Sequence, residues 1–211
     1  MAPMASVFVL SPASCSGLRA HMILRPGAAS LLARRLREPL GAPLGEVYTF
    51  LSGLYFRGKL AYARAFADRP EHVLVITPTA GLRPPDTLVT LDVLRGFARV
   101  DIADGSARFR RPLLADARTL AAGLGADDEV ILLGSIASPK YVDVLSGVFG
   151  PRLKFPAAFV GRGDMSRGGL LLRCVTARTA LDYVPVVGAT RRGARPPKLP
   201  PLPRRVVPAG E

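Results

Sequence analysis

The chain is short of the residue types that would narrow its chemistry at once. Two cysteines among 211 residues, Cys15 and Cys174, exclude a disulfide scaffold and any four-cysteine zinc site. Two histidines, His21 and His72, leave no room for histidine-rich metal chemistry, and no metal-ligand spacing is present. Nothing in the sequence calls for a cofactor. No uncharged apolar run reaches the ~18 residues that a membrane-spanning helix needs, so none is expected. The apolar run at Val7–Leu10 has no basic residue before it and does not read as a secretory signal. The expected location is the reducing cytoplasm. Lysine is scarce as well: only Lys59, Lys140, Lys154 and Lys198.

What the chain does have is arginine and apolar residues. Apolar residues make up 49%, too many for a chain disordered throughout. Lys and Arg number 29 against 16 Asp and Glu, for a formal charge of +13. This balance favours polyanions: nucleic acid, nucleotide phosphate or an anionic membrane surface. A GC-rich coding sequence would also produce such an arginine excess. The last 28 residues, Val184 to Glu211, hold six basic groups and one acid, so the body stays basic without them. Arginine suits the role, since its planar fork pairs two oxygens of a phosphate or the edge of a guanine.

Apolar runs alternate with helical patterns. Ser6–Leu10, His72–Thr77 and Glu129–Leu133 read as buried strands. Phe97–Ile102 reads as a strand near the sheet edge, Leu153–Phe155 as a short strand and Leu181–Val187 as the last one. Glu46–Phe50 fits a short strand or a turn. Helices are expected over Ala28–Arg37, Gly53–Ala67 with Ser52 as cap, Pro112–Leu124, Ser138–Val148 and Ser166–Thr179. Pro78–Asp86 is a turn-rich loop. This pattern predicts an α/β fold with a mostly parallel central sheet flanked by helices, in one domain over residues 1–187. Residues 188–211 read as a Pro/Arg-rich, disordered C-terminal tail. That tail is a solubilising end, a phosphate-tracking arm or a ligand for an aromatic-lined groove.

In parallel sheets, ligands bind beyond the carboxyl ends of the strands. Four segments are candidates for such a cleft. Ser11–Gly17 carries three hydroxyls, a thiol and loop amides able to cradle an oxyanion or a base edge. It lacks the glycine spacing and Lys-Ser/Thr ending of a phosphate-binding P-loop. Cys15 has no activating partner in sequence, and Cys174 reads as a core thiol. Tyr48–Lys59 interleaves aromatics with cations, as nucleic-acid surfaces do and as a core helix also can. Gly134–Tyr141 follows a strand and opens a helix, with Lys140 in the first turn. Phe159–Gly169 places Arg162 and Arg167 around glycines. Its Asp164 is a helix cap, an arginine partner or an acid–base group. The Arg162-Gly163-Asp164 triplet is not taken as an adhesion signal.

Taken in order, these segments resemble the YaaA family, bacterial proteins linked to peroxide stress and DNA binding. Leu10-Ser11-Pro12-Ala13 matches the family's Ser-Pro-Ala-Lys opening, with Ser14 in place of the lysine. Tyr48-Thr49-Phe50 through Tyr55, Gly81–Asp86, Leu133-Gly134-Ser135 through Tyr141, and Ser166-Arg167-Gly168 are similar to later family segments. Ser52–Phe56 and Gly81–Asp86 also resemble segments of related small bacterial domains, some of which look distantly like the uracil-DNA-glycosylase fold. The resemblance implies an α/β domain with a basic cleft and a role in stress.

The expectation is therefore a DNA-binding protein with no membrane partner. Lys59, Lys140, Arg162 and Arg167 would neutralise phosphates, with Arg57 beside them. Tyr55 and Tyr141 would stack on a base or sugar, while Ser11, Ser52 and Ser135 would meet polar edges. The alternative is an enzyme on a nucleobase or nucleotide, an N-glycosidase or base transferase. Asp164, or less readily Asp86, would then be catalytic. A third reading is an interaction protein acting through its tail.

Overall fold

A strand buried on both faces must be apolar throughout, and Val7-Phe8-Val9-Leu10 meets that demand. In the computed structural model, which describes residues 5–103 and 105–200, this run lies inside the sheet with all four side chains buried. In chain order the first elements are β1 (Ser6–Leu10), α1 (Leu18–Leu24), α2 (Leu31–Arg35), β2 (Ala42–Pro43), α3 (Leu44–Ser52) and α4 (Leu54–Phe66). Then come β3 (Val73–Thr77), β4 (Gly81–Arg83), β5 (Leu88–Val89), α5 (Leu91–Ala98) and α6 (Ala107–Gly123). Last among the described residues come β6 (Glu129–Leu133), α7 (Val142–Phe149), β7 (Leu153–Pro156), α8 (Asp164–Ala177) and β8 (Tyr183–Pro185).

Among the described residues the main sheet has six strands in the order β4-β3-β1-β6-β7-β8, and β2 and β5 pair apart from it. The inner four run parallel, and the edge strands β4 and β8 run antiparallel. The expected α/β class with a mostly parallel sheet is what the chain adopts. Register decides where the strands stop. Leu10 pairs Leu133, so β1 and β6 end level, and Leu10 pairs Val75, so β3 runs two residues further. The segments after β1, β3 and β6 therefore leave the sheet at one edge. Among the described residues no helix is long and apolar enough to cross a membrane.

Several elements differ from the sequence expectation, each for a physical reason. Glu46–Phe50 lies inside the helix α3, not in a strand or turn. Its β-prone residues are overruled by burial of Leu44, Val47, Tyr48 and Leu51 at helical spacing. Phe97–Ile102 is not a strand: Phe97 and Ala98 sit in the last turn of α5, Phe97 buried with Leu91 and Leu94, and the residues from Arg99 on form a loop. Thr90 starts that helix by accepting from the Val93 amide at 3.5 Å. Ala28–Arg37 shortens to α2, and α1 precedes it in a stretch for which the sequence suggested no element. Helix α6 begins before Pro112 and runs through it. The Pro78–Asp86 loop contains β4, which folds back on β3. Thr77 Oγ1 closes that turn by donating to the Gly81 carbonyl at 3.0 Å and accepting from the Ala80 amide at 3.0 Å. Asp116 on α6 holds the Leu82 amide and Arg83, each at 2.9 Å.

Beyond β8, residues 186–200 form no helix or strand. They pass so close to the loop before α8 that a Cβ on Gly161 would meet the Ala194 carbonyl oxygen. Arg162 reaches Pro197 O at 3.5 Å, and Arg173 donates to Pro200 O. Residues 201–211 of the expected tail lie outside the described residues.

Helices α4 and α8 meet through two glycines. A Cβ on Gly168 would stand 2.7 Å from the Leu54 carbonyl oxygen and 2.8 Å from Tyr55 Cα, and one on Gly58 2.7 Å from the Gly168 carbonyl oxygen. Alanine normally stabilises a helix interior by ~1 kcal/mol relative to glycine. Here the sign reverses: Gly168→Ala is expected to destabilise by ~1–3 kcal/mol in urea denaturation, because backbone rather than a flexible side chain blocks the methyl. Gly147→Ala on α7, where a Cβ would meet nothing within 4 Å, is expected to be neutral or stabilising. A stabilised Gly168→Ala would show that the two helices are not held at this distance.

Candidate functional site

The chain segments that leave β1, β3 and β6 enclose a cleft of about 780 Å³. Its walls come from Ser11–Ser16 after β1, Pro78 after β3, and Ser135, Ser138, Lys140 and Tyr141 after β6. Leu51 and Ser52 from α3, Tyr55 from α4, the segment Phe97–Ile102 and Asp164 complete it. Six serine hydroxyls face this space, and Tyr55 Oη lies buried on its wall with no hydrogen-bond partner among the described residues.

Ser11 is placed by the backbone on either side of it. Its amide extends the sheet ladder to Leu133 O at 3.1 Å. Behind it, Lys59 crosses from α4 at 1% exposure. Lys59 Nζ lies 2.6 Å from the Ser11 carbonyl oxygen and 2.8 Å from Ser11 Oγ. It also sits 4.5 Å from the centroid of the Tyr55 ring and 4.9 Å from that of Phe56. No carboxylate pairs with it among the described residues; Asp164 pairs instead with Arg167. Burial therefore dominates and pushes the Lys59 ammonium down to about 7, with nearby Asp164 opposing the fall and Arg167 adding to it. Gly134 makes the next step of the wall possible. A Cβ there would stand 2.8 Å from both Ser11 Cβ and Tyr141 Oη. Tyr141 Oη donates to Ser135 O at 2.9 Å, and burial pushes its phenol up to about 12.

Cys15 is a cleft residue but not a thiolate. Burial pushes it up to about 12, and its Sγ points toward Ala13 O at 3.6 Å. It packs beside the buried Tyr48.

The structure brings Ser11, Ser52, Tyr55, Ser135, Lys140, Tyr141 and Asp164 together as lining residues, and puts Lys59 directly behind Ser11. It does not bring in Arg57, which is exposed outside the lining, nor Arg162 or Arg167. Arg162 is spent locally, on Ala158 O at 3.0 Å and Ser166 Oγ at 3.2 Å. Arg167, with 11% of its side chain exposed, donates twice to Phe159 O and lies over the Phe159 ring. These two arginines hold the turn before α8 rather than a phosphate. Lys59 is likewise no surface phosphate contact. Tyr55 and Tyr141 are 5% exposed, so neither offers an open ring face for stacking.

The expected basic cleft is not basic in its lining. Its charged lining groups are Lys140 and Arg99 against Asp101 and Asp164, an even balance. Asp164 has 69% of its side chain exposed and opens α8, with Gly163 rather than itself at the cap position. Arg99–Ile102 escaped the sequence reading because Phe97–Ile102 looked like one strand. Among the described residues no group of three or more His, Cys, Asp or Glu side chains gathers to hold a metal. Comparison with family models, curated proteins and solved structures gave no match.

The Lys59 amine has a measurable consequence. Its folded value lies below the ordinary 10.5, so between about pH 7 and that value the unfolded chain binds the extra proton. Stability therefore rises with pH across this window. In Lys59→Met, the stability gained between about pH 6 and pH 10 is expected to shrink by roughly 4 kcal/mol in urea denaturation at the two pH values. An equal gain in both proteins would show that the folded amine stays charged.

Proposed function

We propose that the protein binds nucleic acid, DNA first among the candidates, and that the cleft receives one nucleoside unit drawn from the strand. The observation that supports this reading best is the convergence of the strand-end segments on one cleft of about 780 Å³, a volume suited to a small organic group. A base and a sugar are uncharged and rich in hydrogen-bonding edges. They match a lining of serine hydroxyls with balanced charge, much as enzymes that act on bases take them out of the stack. Phosphates would stay outside, near Lys140 and Arg99 at the cleft and the exposed Arg57, drawn by a net charge of +13. The resemblance to the YaaA family points the same way and adds a stress-related role.

Neutralised phosphates release counterions, so binding is expected to fall by on the order of tenfold or more between about 50 and 200 mM salt. Arg99→Glu with Lys140→Glu is expected to weaken a fluorescent oligonucleotide's binding by on the order of tenfold. Absence of binding at low salt, or binding indifferent to both changes, would overturn the reading.

A second reading keeps the cleft and makes it an enzyme on a nucleobase or nucleotide, an N-glycosidase or base transferase. Asp164 favours it, as an exposed carboxylate on the cleft wall able to orient water or stabilise a cationic sugar. Product analysis decides: turnover lost in Asp164→Asn with binding retained supports it. Turnover that survives the change leaves Asp164 as a favourable charge in the first turn of α8.

A further inference from the structure

We propose that Ser11 and Lys59 form a nucleophile–base dyad that cleaves a carboxylic ester through a covalent seryl ester in the cleft. The inference goes beyond the nucleic-acid reading and stands or falls separately from it.

The geometry carries it. Ser11 Oγ is the cleft hydroxyl with an amine 2.8 Å behind it. A neutral Lys59 would donate one N–H to the Ser11 carbonyl oxygen at 2.6 Å and turn its lone pair to the Ser11 hydroxyl. This is the arrangement that a general base needs. The low-dielectric surroundings of Lys59 and its lack of a carboxylate partner among the described residues favour that neutral form. Strand β1 fixes Ser11 from one side and helix α4, locked against α8 by the glycine pair, fixes Lys59 from the other. The amine is therefore held on a helix, and the hydroxyl on the first residue past β1, pinned by its amide's bond to Leu133 O.

In the reaction, the Ser11 Oγ–H proton passes to Lys59 Nζ as Oγ bonds to the ester carbonyl carbon. The carbonyl electron pair moves to oxygen. Donors for that oxyanion stand in the same wall. The Ser14, Cys15 and Ser16 amides have no acceptor among the described residues, and Tyr55 Oη has no partner there. Collapse breaks the bond to the leaving alkoxide, which takes the proton from Lys59. A water then gives its proton to Lys59 and attacks the acyl carbon. Ser11 leaves and recovers the proton, and a carboxylic acid is released. An uncharged acyl centre suits a lining in which Asp101 and Asp164 balance Arg99 and Lys140. Attack on a phosphodiester would build negative charge on an already anionic group beside two carboxylates.

The test uses the full chain. It is incubated with a fluorophosphonate probe, and the adduct is mapped by peptide mass spectrometry; p-nitrophenyl acetate supplies a parallel readout. The expected result is one adduct, on Ser11, and a stoichiometric burst of p-nitrophenol. Labelling is expected to speed up as pH rises through about 7 and then level off. The groups facing Lys59 are Ser11 just after β1, Tyr55 from its own helix, and Asp164 and Arg167 from α8; Tyr141 stands beyond Ser11. Lys59→Met is expected to slow labelling by on the order of 100-fold, and Ser11→Ala to abolish it. A merely structural lysine would not set the pH profile. An adduct elsewhere, or none on the folded wild-type protein, overturns the dyad even if both variants fail to fold. Oligonucleotide binding measured on the same preparation separates the two proposals: labelling without binding sustains the dyad alone, and binding without labelling sustains only the nucleic-acid reading.

Discussion

Everything at the cleft depends on β1 and β6 stopping level. Because Leu10 pairs Leu133, the Ser11 amide takes the next rung of the ladder and its side chain is presented where the sheet ends. The same rung sets Gly134 beside Ser11, and a bare α-carbon there admits both the serine and the Tyr141 hydroxyl. A register slip by one residue would turn every β1 side chain to the opposite face. The hydroxyl at the cleft is thus a product of strand pairing, and only secondarily of the loop that follows.

The second constraint acts from beneath. A lysine reaches Ser11 only because α4 lies close, with Gly58 and Gly168 letting α8 press on it. Burial of an unpaired ammonium costs free energy, and the fold bears that cost at one position next to a hydroxyl that lines a cleft. Strain or expense that local packing does not require tends to gather at functional sites. The arginines on the neighbouring turn act differently. Arg162 and Arg167 donate to the Ala158 and Phe159 carbonyls and so pin the turn before α8.

Much of this was legible in the residues. The three apolar strands, their alternation with helices and the gathering of Ser11, Ser135 and Lys140 at the strand ends follow from periodicity and from the parallel-sheet rule. What was not legible has a common cause. Val47-Tyr48-Thr49-Phe50 favours strand locally, and only the distant surfaces buried by Leu44, Val47, Tyr48 and Leu51 make it helical. Phe97 misled in the same way. Lys59 was read as a surface cation because charge is visible in a sequence and depth is not. Its partner, Ser11, lies 48 residues away. Arg162 and Arg167 misled for the same reason, since a carbonyl acceptor leaves no trace in residue identity.

The course of residues 186–200 bears on how the molecule can be dissected. With the Ala194 carbonyl lodged against Gly161, and Arg162 and Arg173 donating to carbonyls further on, this stretch covers the turn that leads into α8, whose first residue, Asp164, lines the cleft. Cutting the chain at residue 188 would strip a covering from the domain together with whatever lies downstream. A truncation made after Pro200 removes the terminal basic groups and leaves that covering in place.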